Sequence, residues 1–116
     1  MPALAFFEGE IVPLEEAKIS VVTHAFNYGT GVFEGIRGNW NEQEGAVNIF
    51  RLREHYERLL RGCKLLMLDI PYSLDQLCDI TVELVAKNRH NHDIYIRPLA
   101  SVSYTHLRAH ETEADL

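Results

Sequence analysis

The chain has 116 residues, 47% of them hydrophobic and 24% charged, enough for one domain with a modest core. Its net charge of −6 is carried by dispersed acidic residues, which argues against nucleic acid or an anionic membrane as a partner. No apolar run approaches the ~20 residues of a membrane helix, and MPALAFFEGE lacks the basic and long apolar regions of a signal peptide.

In chain order, LAFFEGEIV (Leu4 to Val12) reads as two short strands joined by a tight turn at Glu8-Gly9. PLEEAKIS leads into VVTHAFNYGTG, a loop in which Gly29 and Gly31 are backbone-permissive. VFEGIRGNW predicts a strand, NEQEG a polar turn, and AVNIFR (Ala46 to Arg51) a returning strand. A first helix is expected from about Leu52 to Met67, with Leu52, Tyr56, Leu59, Leu60, Cys63 and Leu66 as its core stripe. Arg53, Glu57 and Arg61 lie four apart on its outer face, spaced to pair.

A second helix begins at Ser73, where Gln76 three residues on completes a capping-box pattern, and it ends near KNRHNH. Leu74, Leu77, Cys78, Thr81, Leu84 and Val85 supply its buried face. DIYIRPLA is a further strand, with Pro98 marking an edge or a strand end. Strands, two helices and a strand predict an α+β fold: a mostly antiparallel sheet with both helices on one face. Cys63 and Cys78 have no metal-ligand spacing and read as buried thiols in a reducing compartment.

Side chains alternate faces along a strand. VFEGIRG therefore places Phe33, Gly35 and Arg37 on one face, and Val32, Glu34 and Ile36 on the other. DIYIRP likewise pairs Tyr95 with Arg97. Each pair combines an aromatic wall with a planar guanidinium suited to carboxylate or phosphate, and Gly35 leaves room for something flat or bulky. Each pair also fits a solvated strand arginine beside a core aromatic, and Gly35 also fits a bulge. The pattern by itself goes no further than a small α+β domain with a candidate anion pocket.

THAFNYGTGVFEGIRG, FRLREHYERL and YIRPL, in this order and spacing, resemble the N-terminal small domain of branched-chain amino acid aminotransferases. These belong to the fold-type IV pyridoxal-phosphate enzymes, and the resemblance covers about Ala5 to Ala100. It implies that Arg58, in HYERL, binds the phosphate of pyridoxal phosphate, with Gly62 one turn on leaving space beside it. It implies that Phe33, Gly35 and Arg37 line the substrate side-chain pocket and that Tyr95 and Arg97 meet substrate carboxylates. Tyr28, in FNYGTG, matches a tyrosine that reaches into a neighbouring subunit's site, which implies a homo-oligomer.

The implied activity is transfer of the amino group of leucine, isoleucine or valine to 2-oxoglutarate, in cytoplasmic branched-chain amino acid biosynthesis. D-amino acid transaminase and aminodeoxychorismate lyase share the fold, but FEGIR and YIRPL favour the branched-chain enzyme. A non-catalytic anion-binding domain is the alternative from another class.

The family's catalytic lysine lies in a large C-terminal domain, and none of Lys18, Lys64 and Lys87 sits in a matching motif. No catalytic residue is therefore assigned within this chain. VSYTHLRAHET (Val102 to Thr112) resembles one translated frame of a transposase adapter used in DNA sequencing. The expectation is a small domain over 1–100 and a non-native tail over 101–116, the large domain being missing. His106, His110 and Glu111 look like a metal motif, but they fall in that tail and no metal is assigned.

Overall fold

A computed structural model describes residues 3–18, 31–103 and 113–115. Strands β1 (Leu4–Phe7) and β2 (Glu10–Pro13) form a hairpin whose two turn residues, Glu8 and Gly9, both take positive φ. A short 3₁₀ turn at Leu14–Glu16 follows. Then come β3 (Gly31–Phe33), β4 (Ile36–Asn41) and β5 (Ala46–Ile49), helices α1 (Leu52–Leu65) and α2 (Leu74–Asn88), and strands β6 (Ile94–Ile96), β7 (Leu99–Ser103) and β8 (Glu113–Asp115). All strand pairs are antiparallel, in the orders β1-β2, β3-β7-β8 and β5-β4-β6.

The segment expected to be one strand, VFEGIRGNW, is two. β3 pairs with β7 and β4 with β6, and Glu34-Gly35 between them belongs to neither strand. The two ladders nevertheless share one register, which sets Glu34 opposite Pro98 and Gly35 opposite Arg97. Pro98 is the cause of the interruption. Its carbonyl accepts from the Glu34 N–H at 3.2 Å, but it has no N–H to return the bond.

Ile36, Tyr56, Leu59, Cys63, Leu68, Leu77 and Ala100 form the core, with Val32, Ile49 and Ile96 packed against it. Both helices cover the sheet face that carries Val32, Ile36 and Ile96. α2 starts at a capping box: the Ser73 hydroxyl accepts from the Gln76 N–H, and the Gln76 side chain accepts from the Ser73 N–H. Inside, the Thr81 hydroxyl donates to the Leu77 carbonyl and bonds the Tyr56 hydroxyl, so the buried phenol is satisfied. Cys63 is buried and Cys78 half-buried, both as free thiols.

Three details differ from expectation. α1 stops at Leu65 rather than Met67, because Met67 turns left-handed at φ 59. Its N–H bonds the Lys64 carbonyl while the Leu68 N–H bonds that of Cys63, which closes the helix and leaves Leu66 half exposed. Arg53 pairs across to Asp75 of α2 at 2.8 Å instead of along its own helix. Gly62 leaves no space beside Arg58: a Cβ there would stand 2.8 Å from Val32 Cγ1, so this glycine lets α1 lie against β3.

Glycine to alanine in an exposed helix interior stabilises by about 1 kcal/mol. At Gly62 the sign is expected to reverse. Gly62→Ala should lower the unfolding free energy by about 1–3 kcal/mol through overpacking, with recovery in the Val32→Ala background. Denaturant midpoints of the two variants and the double variant check this, and stabilisation by Gly62→Ala alone would refute the close contact.

Candidate functional site

One exposed sheet face gathers five of the residues singled out in the sequence. Arg37 and Tyr95 are direct cross-strand partners, so their side chains project to the same side. Phe33 pairs with Leu99 and shares that side. Arg97 donates from Nη2 to the Tyr95 hydroxyl at 2.8 Å. Its guanidinium lies 4.6 Å from the Phe33 ring centroid and 5.3 Å from that of Tyr95. Aromatic rings attract a cation at this range, so Phe33 holds Arg97 through its ring and Tyr95 through its ring and its hydroxyl.

Phe33 is 56% and Tyr95 62% exposed, so this aromatic surface is not core. Arg37 and Tyr95 continue into a groove of ≈ 510 Å³ lined also by Asn39, Asp93 and Ile94.

Gly35 does not leave an empty gap in this face. A Cβ at Gly35 would overlap the Tyr95 hydroxyl and stand 2.9 Å from Tyr95 Cζ. The missing side chain is what lets the phenol lie across the strand, where Arg97 reaches it. The room expected above Gly35 is thus taken by Tyr95, and the face is built of fitted parts.

Arg58 does not join this face. It lies on the helix side, where Nε donates to Glu34 Oε2 at 2.7 Å and Nη2 to Glu34 Oε1 at 2.8 Å. Glu34 Oε1 also meets His55 Nδ1 at 2.8 Å. Glu34 is only 6% exposed, His55 is largely covered, and Arg58 is 66% exposed. The hydrogen bond from the Arg58 guanidinium pulls the Glu34 carboxyl down to about 2; burial opposes this, and His55 adds to it. An ionised carboxylate only accepts, so the His55 ring carries its proton on Nδ1. Three charge-assisted or polar bonds thus satisfy one buried charge.

Sequence reasoning missed this cluster by assigning Glu34 only to the non-pocket face. The signal was there: a carboxylate between Val32 and Ile36 at core-facing spacing must find partners, and His55 and Arg58 are three apart on one helix face. Tyr28 and the set His106, His110 and Glu111 lie outside the described residues.

The two groups meet at the β3–β4 break. Glu34 holds Arg58 on one side, and Gly35, its neighbour about 3.8 Å along the chain, underlies Tyr95 on the other. The donors fit an anion with a planar or apolar body. Arg58 keeps both N–H groups of Nη1 and one of Nη2 beyond those on Glu34, which suits a phosphate oxygen. Arg97, stacked and bonded, suits a carboxylate.

Comparison with known proteins gives a consistent picture. The family model described as amino-transferase class IV matches residues 31–115. A probable branched-chain-amino-acid aminotransferase of Aquifex aeolicus (strain VF5) is 52% identical over 96 residues, covering 83% of this chain and 31% of that protein. The crystal structure of a branched-chain aminotransferase from Thermoproteus uzoniensis with norvaline superposes with a TM-score of 0.86 at 42% identity, covering 97% of this chain and 38% of that one. A T.th. branched-chain amino acid aminotransferase, complexed with N-(5'-phosphopyridoxyl)-L-glutamate, gives a TM-score of 0.84 at 37% identity, covering 99% and 39%. The chain spans about a third of the length of the curated relatives it matches.

The depressed Glu34 carboxyl sets a pH dependence. Its contribution to stability is fully present above the ordinary value of 4.5 and is lost as pH falls from there through about 2. Unfolding free energy measured against pH should therefore decline across that window, and Glu34→Gln should flatten that part of the decline. An unchanged slope in the variant would show that Glu34 is not held as the geometry requires.

Proposed function

The chain belongs to the amino-transferase class IV family, and from that premise we propose that it is the N-terminal small domain of a branched-chain amino acid transaminase. The proposed reaction moves the amino group of leucine, isoleucine or valine to 2-oxoglutarate, with pyridoxal phosphate as cofactor, in a cytoplasmic homo-oligomer. The observation that carries the reading is the exposed face on which Arg97 is stacked by Phe33 and Tyr95, one backbone step from the Glu34–Arg58 pair. The names of the relatives support the substrate class, and a neighbour bound to a phosphopyridoxyl-glutamate conjugate supports the cofactor.

On this reading, the chain's residues bind and orient. Pyridoxal phosphate, when bound, supplies an electron sink for bond cleavage at the amino acid Cα. Arg58 would hold its phosphate through the N–H groups that Glu34 leaves free. Arg97, with Tyr95, would meet a substrate carboxylate, and Phe33 would face an alkyl side chain. Arg37 at the groove would receive the second carboxylate of glutamate, so one site accepts both an apolar and an acidic substrate.

Proton transfer is not assigned to this chain. Lys18, Lys64 and Lys87 are exposed, and Lys87 is paired with Glu83 at 3.0 Å.

A full-length protein carrying this domain tests the reading. With pyridoxal phosphate present, it is expected to transfer nitrogen from L-leucine to 2-oxoglutarate. Activity confined to D-amino acids, or none, would contradict the proposal. Two variants separate the roles. Arg58→Ala should weaken cofactor affinity roughly tenfold or more while leaving substrate preference alone. Gly35→Ala should displace Tyr95 and raise KM for leucine about tenfold or more with cofactor affinity kept. Exchange of these two patterns would refute the assignment of phosphate to one side of the break and substrate to the other.

A further inference from the structure

We propose that Glu34, backed by His55, is a positioning residue that locks the Arg58 guanidinium so that the edge Glu34 does not engage is presented to a phosphate. The proposal rests on the phosphate role given to Arg58 above. A guanidinium has five N–H groups in a fixed fork. Glu34 takes Nε–H and one N–H of Nη2, which fixes the plane as well as the position of the group. The Arg58 side chain is 66% exposed, so without that clamp it would sample many rotamers and lose their entropy on binding.

The clamp is itself anchored. The Glu34 N–H bonds the Pro98 carbonyl, its side chain is 6% exposed, and His55 Nδ1 occupies Oε1 from the other side. Folding alone does not call for a carboxylate here. It sits between Val32 and Ile36 on the core-facing side, where an apolar side chain often serves stability as well or better.

Two effects of Glu34 on a bound phosphate oppose each other. Its negative charge repels the anion, and its hydrogen bonds pre-order the arginine. Repulsion acts next to an exposed group and is screened by solvent and salt, whereas the orientation is fixed by two short parallel bonds. Orientation should therefore dominate.

The test uses full-length apoprotein titrated with pyridoxal 5'-phosphate and, separately, with pyridoxal, which lacks the phosphate. Binding is read by cofactor absorbance and does not depend on turnover. Glu34→Gln should lose about tenfold in affinity for the phosphorylated form and leave pyridoxal binding unchanged. Arg58→Ala should show the same split, and the double variant should lose no more than Arg58→Ala alone.

Phosphorylated cofactor bound by Glu34→Gln as tightly as by the parent, or more tightly, while Arg58→Ala loses affinity, would overturn the positioning role and leave the phosphate role standing. No loss in Arg58→Ala would overturn both. Equal loss of both ligands in Glu34→Gln would mark a general disturbance and also overturn the proposal. Should Glu34→Gln fail to fold, His55→Gln decides, because it leaves the Glu34–Arg58 bonds in place. It should lose about threefold in affinity for the phosphorylated form only, and no loss would count against the clamp.

Discussion

A single buried carboxylate constrains most of what this domain does. Glu34 points to the side of the sheet that the helices cover, where an unpaired charge is not tolerated. Its partners must come from the helix that crosses there, and α1 provides them as His55 and Arg58, three residues apart on one face. That crossing is close because Gly62, one turn further along, has no side chain to hold α1 away from Val32. The same glycine that fits the helix to the sheet therefore brings Arg58 within reach of Glu34.

The next residue turns the same constraint to the other side of the sheet. At Glu34-Gly35 the ladder opens because Pro98 cannot donate, and Gly35 gives its space to the Tyr95 phenol. Tyr95 in turn fixes Arg97, and Phe33 closes the stack. Two arginines are thus held on opposite sides of one dipeptide, one by a carboxylate and one by aromatic rings. On the proposed function, a cofactor phosphate and a substrate carboxylate would be two anions on one small assembly, and a site that separates their cations would keep the two roles distinct.

Much of this was legible in the sequence, and the losses have identifiable causes. Period-two alternation groups Phe33, Gly35, Arg37, Tyr95 and Arg97 on one face because the β3–β7 and β4–β6 ladders keep a common register across the break. The break itself is hidden: Pro98 signals a strand end in its own segment but not the opening it forces in the partner strand. The capping box at Ser73 is readable because both partners lie within four residues. The end of α1 is not, since nothing in Leu66-Met67-Leu68 advertises a left-handed residue of the kind glycine usually supplies. Gly35 and Gly62 both read as space in the sequence, yet each is a contact. A glycine in sequence does not say whether its missing side chain is filled by a ligand, a phenol or a neighbouring strand. Glu34 escapes a search for anion-binding cations, because the residue that orders one of them carries the opposite charge.

The most direct measurement is a crystal structure of a full-length protein bearing this domain with pyridoxal 5'-phosphate bound. The account predicts that the Nε edge of Arg58 stays on Glu34 while Nη1 contacts the phosphate, with Arg97 still against the Phe33 ring and bonded to the Tyr95 hydroxyl on the far side of the Glu34-Gly35 step. A phosphate held elsewhere, with Arg58 on Glu34 alone, or an Arg58 that abandons Glu34 to reach the phosphate, would contradict it.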